Sequence, residues 1–291
     1  EILAGVSNAL VGCAGPPCQI LETRCAVPDG TGVNVDAGDR ACQYLSSYRL
    51  FRGRAALQEP NDGVVPYDLT TPLFTDYAAK HRFVWLPDGT RAEYDPRRPF
   101  EFPVGTVIVK TFAYPHDQTD PDSREDMLET RLLVHEPDGW VGRPYVWNEN
   151  DTDAELELTG ATLDVQGVQA DGTFGMFQHI VPNANQCKGC HKAFDDVMAP
   201  IGPTARNLNK DYAYVDGPAN QLVRWAELGI LAGAPSDPAL APRNAVFDDP
   251  TDGTLEERAR AYLDVIRGQC HNETRPARTS GLVLECAGDG T

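Results

Sequence analysis

Five residues, Cys187-Lys188-Gly189-Cys190-His191, constrain this chain more tightly than any other stretch. On a helix, two thiols three positions apart share one face, and the histidine that follows falls beside them. That spacing suits covalent attachment of a haem. Each thiol adds to one vinyl group of a porphyrin edge, and the imidazole reaches the iron. Cys187 and Cys190 are then the attachment residues, His191 is the proximal ligand, and one covalent haem c is the expected cofactor. Two other chemistries use the same residues. A zinc site needs a second Cys/His pair, which Cys270-His271 can supply. A redox dithiol needs a preceding strand in a βαβ setting. The residues ahead of the motif, Val181-Pro182-Asn183-Ala184-Asn185-Gln186, read as loop. A helix is expected to begin at the motif and to end at Pro200-Ile201-Gly202-Pro203, because proline lacks the N–H that a helix needs.

The other cysteines speak to compartment. Of 8 Cys in 291 residues, six lie outside the motif: Cys13, Cys18, Cys25, Cys42, Cys270 and Cys286. An even set suits disulfides, and disulfides persist where the surroundings are oxidising. Nearness in sequence favours pairs among the first four, and Cys270 with Cys286. Haem attachment and disulfides agree on a periplasmic or extracellular location. The net charge of −18 argues against nucleic acid, whose binding needs lysine and arginine to displace counterions, and against anionic membrane surfaces. It fits solubility, steering toward a basic redox partner protein, or self-assembly of acidic subunits. No stretch approaches the roughly 18 apolar residues of a membrane span.

Three regions follow in chain order. Residues 1–45 place four cysteines among glycine and proline and read as a disulfide-stapled segment. Residues 46–180 read as β-rich and antiparallel. Their strands are Arg82–Leu86, Thr106–Phe112, Thr130–His135, Tyr145–Trp147 and Ala154–Leu158, with turns at Pro87-Asp88-Gly89 and Pro137-Asp138-Gly139. Trp85, Trp140 and Trp147 fall here, as core residues or as platforms for a ligand. Residues 181–291 read as a small helical domain. Asn220 caps a helix carrying Leu222, Trp225 and Leu228, closed by Gly229. Thr254-Leu255-Glu256-Glu257 is a capping box, opening a helix with Leu255, Ala259, Tyr262, Leu263 and Ile266 on one face. The fold class is α+β.

Several stretches resemble a known family. They include Tyr44–Phe51, Gly63–Leu69, Pro72–Tyr77, Phe102–Phe112, Glu129–Val134, Gly139–Gly142, Pro144–Asn148, Pro182–His191, Ile201–Pro203, Ala205–Asn209, Glu257–Val265 and Pro276–Leu282. Together they are similar to secreted bacterial dihaem c-type cytochromes of unsettled role, over roughly residues 44 to 282. The resemblance implies a cytochrome-c-like haem domain and a second Cys-x-x-Cys-His after the last helix. Here that place reads Arg267-Gly268-Gln269-Cys270-His271, so the first thiol is missing. The second haem is expected to be lost, with Cys270 paired to Cys286.

For the sixth iron ligand the sequence offers His179, His271 and Met176. Ile201, Pro203, Leu208, Trp225 and Leu231 are expected as apolar walls, and Arg206 as partner to a propionate. The function expected is electron transfer by a monohaem cytochrome, alone or within an assembly. The alternatives are a haem-dependent oxidoreductase with an open distal site, and a surface binding or structural module using Trp140 and Trp147.

Overall fold

The β-branched run Val107-Ile108-Val109 sits at the centre of the molecule because its side chains leave both faces of the strand apolar. The computed structural model describes Cys25, residues 30–34, 41–191, 197–268, 270, 271, 279 and 284. In chain order the strands are β1 (Val65–Tyr67), β2 (Ala79–Trp85), β3 (Ala92–Glu93), β4 (Val107–Pro115), β5 (Glu125–Glu136), β6 (Gly139–Trp147), β7 (Ala154–Leu156), β8 (Ala161–Val168) and β9 (Phe174–Val181). Helix α1 (Ala184–His191) and α2 (Ala205–Leu208) follow, then β10 (Asp211–Tyr214), β11 (Gly217–Asn220), α3 (Gln221–Glu227), β12 (Leu231–Ala232) and α4 (Leu255–Leu263). Six strands form one antiparallel sheet in the order β1-β2-β4-β5-β6-β7, and β8 pairs with β9 as a separate hairpin. The fold is α+β, as expected.

Register decides what each sheet face carries, since successive side chains alternate. On one face Phe83, Val109 and Leu132 stand side by side, next to Trp85, Val107 and Val134. The segment around residues 42–64 covers them with Leu45, Tyr48, Leu50 and Phe51. A disulfide, Cys25–Cys42, ties this cover down, one of the pairings expected among the first four cysteines. Cys13, Cys18 and Cys286 lie outside the described residues. On the other face Val84, Ile108 and Leu133 pack with Leu208, Leu222, Trp225 and Leu231 from the C-terminal region. The boundary placed near residue 180 therefore separates two stretches of chain that share one hydrophobic cluster.

Local chemistry explains the helices. Asn220 Oδ1 accepts from Leu222 N at 3.0 Å, and Gly229, at φ +73°, closes α3. Its inner face is Leu222 and Trp225, while Leu228 is 46% exposed. At α4 the Thr254–Glu257 capping box forms as expected. The buried face differs. Leu255 is 74% exposed, and Ala261 and Val265, four apart, turn inward instead. The first turn of α4 carries no buried residue, so the inner line is set by its last turn and the π-helical turn Asp264–Gly268 that follows.

Candidate functional site

The motif lies late in its helix rather than at the start. Pro182 ends the extended chain, and Asn183 and Gln186 then cap α1 reciprocally. Asn183 Oδ1 accepts from Gln186 N at 2.9 Å, and Gln186 Oε1 accepts from Asn183 N at 2.8 Å. This is a capping box built with asparagine, and it starts the helix three residues before Cys187. The helix rests on β6 where Gly142 leaves room: a Cβ at Gly142 would meet Cys187 Cβ and Sγ, each at 3.3 Å.

Cys187, Cys190 and His191 all open onto one cavity of about 480 Å³, within the range of a cofactor site. Neither motif thiol is in a disulfide. Burial pushes the Cys187 thiol up, against the nearby Arg131 charge, which lowers it. His191 Nδ1 lies 2.9 Å from the Ala199 carbonyl, which accepts its proton. That tautomer leaves the imidazole lone pair on Nε2, the atom a metal would take.

The cavity floor is the sheet. Ile108, Leu133 and Gly142 form an apolar row across β4, β5 and β6. The next row across the same face carries basic side chains: Arg82 on β2, Lys110 on β4 and Arg131 on β5. Arg97, Arg98 and Arg206 also line the cavity, and Asp264 is the one carboxylate residue among its described lining. In a chain of net charge −18 this is a concentrated positive site, suited to an anionic ligand.

Most of these cations have partners. Arg82 Nη1 donates to Asp68 at 2.7 Å, but its Nη2 is buried with no hydrogen-bond partner among the described residues. Arg131 Nε donates to Glu129 at 2.8 Å, and His179 Nε2 lies 2.7 Å from the same fully buried carboxylate. Burial raises the Glu129 carboxyl, and the His179 and Arg131 contacts outweigh it, leaving the group below its usual range. Arg206 Nη1 lies 3.3 Å from Asp264.

No family model, curated protein or solved structure matches this chain. The motif, its cavity and the chemistry of the lining therefore carry the functional reading.

The remaining expectations can be placed. Ile201 and Pro203 line the cavity, while Leu208, Trp225 and Leu231 lie behind it in the shared cluster. His179 is engaged with Glu129 and does not line the cavity; neither does His271, whose carbonyl accepts from Leu284 N. Met176 is 71% exposed on β9. Cys270 is a free thiol, so the expected Cys270–Cys286 bond is corrected. Cys270 lies near the motif without completing a zinc set: among the described residues no three His, Cys, Asp or Glu side chains gather to hold a metal ion. Trp147 is buried and donates through Nε1 to Thr130 Oγ1 at 2.9 Å, which makes it a core residue rather than a platform. Trp140 is half-buried, stacked on His135 with ring centroids 4.4 Å apart.

Sequence reading missed the row Arg82–Lys110–Arg131. Part of its signal was present: Lys110 interrupts the β-branched run Val107-Ile108-Val109-Lys110-Thr111, where a solvated charge is out of place.

Proposed function

We propose that this chain is a monohaem c-type cytochrome serving electron transfer in the periplasm or outside the cell. One observation supports the reading above the others. The two thiols and the imidazole of Cys187-x-x-Cys190-His191 line one cavity, and that cavity pairs an apolar row with arginines. A haem is an apolar disc with two carboxylates, so both halves of the lining match it.

In this reading Cys187 Sγ and Cys190 Sγ hold the group through thioethers, and His191 Nε2 supplies the proximal nitrogen. The haem, when bound, supplies a one-electron redox step. The protein's part is orientation, exclusion of water and electrostatics. The Ala199 carbonyl, by accepting a hydrogen bond from Nδ1–H, fixes the ring of His191 and raises the basicity of Nε2. Ile108, Leu133, Ile201 and Val265 keep water from the ring faces. Arg82, with an unpartnered donor, is the first candidate for a carboxylate, and Arg206 is the second. The cytochrome-c-like part is then the attachment segment of residues 181–291, which leans on the β-sheet for one of its walls.

Location and partners follow from chemistry. The Cys25–Cys42 disulfide fits an oxidising compartment. Among the described residues no helix is long and apolar enough to cross a membrane. The acidic surface fits a basic redox partner or an assembly of like subunits.

The test is covalent attachment. Protein matured in a host with a cytochrome c assembly system should retain haem through a denaturing gel, read by in-gel haem staining. A Cys187→Ser/Cys190→Ser variant should lose it. Retention of the stain by that variant would sink the proposal.

A further inference from the structure

Within the haem reading, the iron's second axial position needs a donor with a lone pair. Among the described lining residues His191 is the one histidine, and there is no methionine. The arginines keep their protons and offer no lone pair. Tyr67 also lines the cavity, but burial pushes its hydroxyl up to about 12, so it stays a phenol. Asp264, the lining carboxylate, is held by Arg206 and Asn244. Of the nitrogen donors with a lone pair, that leaves the amine of Lys110. Lys110 sits in the middle of a cross-strand row running Tyr67, Arg82, Lys110, Arg131, Pro144 over β1, β2, β4, β5 and β6. Cys187 is seated against β6 at Gly142, so β4 lies two strand spacings from the attachment edge, roughly 9.5 Å into the cavity floor. Lys110 Nζ lies 4.6 Å from the Phe112 ring centroid, and none of the ion pairs among the described residues includes it.

Building on that haem reading, we infer that Lys110 is the sixth ligand, its Nζ taking the iron position that His191 leaves open. The surroundings favour the neutral amine that this role requires. Burial first, then the charges of Arg82, Arg131 and Lys80, push Lys110 well below the usual lysine range, with Glu129 opposing weakly. Glu129 itself is committed to Arg131 and His179. A lysine set between two arginines, with no carboxylate of its own, costs stability as a cation and less as an amine. Coordination would exchange the Phe112 ring contact of this half-buried nitrogen for a bond to iron.

The experiment compares the haem-loaded wild type with Lys110→Ala, Lys110→Arg and Lys110→Met. Haem content is read by pyridine haemochrome and spin state by electron paramagnetic resonance and near-infrared magnetic circular dichroism of the ferric protein. The wild type should be low-spin with a histidine–amine signature. Lys110→Ala and Lys110→Arg should turn high-spin and bind added imidazole at least tenfold more tightly, the internal competitor being gone. Arginine keeps the length of the side chain but has no lone pair to give, and the haem content of the three variants separates lost ligation from lost fold. Lys110→Met should show a sulfur-to-iron charge-transfer band, placing side chain 110 on the iron. A low-spin spectrum unchanged in the Ala and Arg variants, or a high-spin wild type, would overturn the assignment and leave the haem reading intact. No covalent haem in the wild type would overturn both.

Discussion

Glu129→Gln should cost the protein about 3 kcal/mol, and the structure says why. Glu129 is fully buried, takes a hydrogen bond from Arg131 Nε at 2.8 Å, and lies 2.7 Å from His179 Nε2. Removing one member of a buried ion pair costs about 3–5 kcal/mol, because the surviving charge is left uncompensated. The Arg131 side chain is 32% exposed, so solvent relieves part of its charge and the lower end of that range applies. For a domain of this size about 3 kcal/mol corresponds to a fall in Tm of about 6–12 °C. Differential scanning calorimetry on wild type and variant measures it directly. A pH series adds a second check. Glu129 lies below its ordinary 4.5 in the folded protein, because the His179 and Arg131 contacts outweigh the opposing effect of burial. On acidification the unfolded chain therefore takes up the proton first. The stabilisation is complete above the unfolded value and is lost as pH falls through the folded one, so the gap between wild type and variant should close in acid. A Tm within about 2 °C of wild type at neutral pH, or a gap that widens in acid, would refute this account of the buried cluster.

Other perturbations test the frame of the site. Trp225→Ala removes a fully buried ring from the cluster behind the cavity and should destabilise by about 3–5 kcal/mol in urea unfolding. Cys25→Ser opens a link spanning 17 residues and should cost about 3 kcal/mol, measured the same way and matched by reduction of the wild type. Asn183→Ala removes half of the α1 capping box, worth about 1 kcal/mol, and should speed hydrogen exchange at the Gln186 amide while leaving the central strands protected.

The sequence carried local rules well and long-range placement poorly. The strands at Arg82–Leu86 and Thr130–His135 were legible because each runs into a proline-aspartate-glycine turn, and Thr106–Phe112 because it is a β-branched run. The caps at Asn220 and Thr254 were legible because each is a few-residue chemistry. The buried face of α4 was not. Leu255, Ala259 and Leu263 make as good a stripe as Ala261 and Val265, and only packing against distant parts of the chain decides which line faces inward. The Asn183–Gln186 cap was visible in principle, but Pro182 and two asparagines outweighed it as loop signals. His179 was drawn toward the iron by its nearness to the motif in sequence. A strand carries it instead to Glu129, a partner fifty residues away in the chain that no local pattern reveals. The cationic row needed the strand register, since Arg82, Lys110 and Arg131 become neighbours only once β2, β4 and β5 are paired.

The central claim, one covalent haem held by Cys187 and Cys190, is met most directly by a pyridine haemochrome titration against protein concentration on the matured chain. The account predicts one haem per chain, with the reduced band of a two-thioether haem c. A value of zero would contradict it and return the zinc and dithiol readings of the motif. A value of two would contradict it as well, because a second haem would have to sit on the lone thiol of Cys270 beside His271.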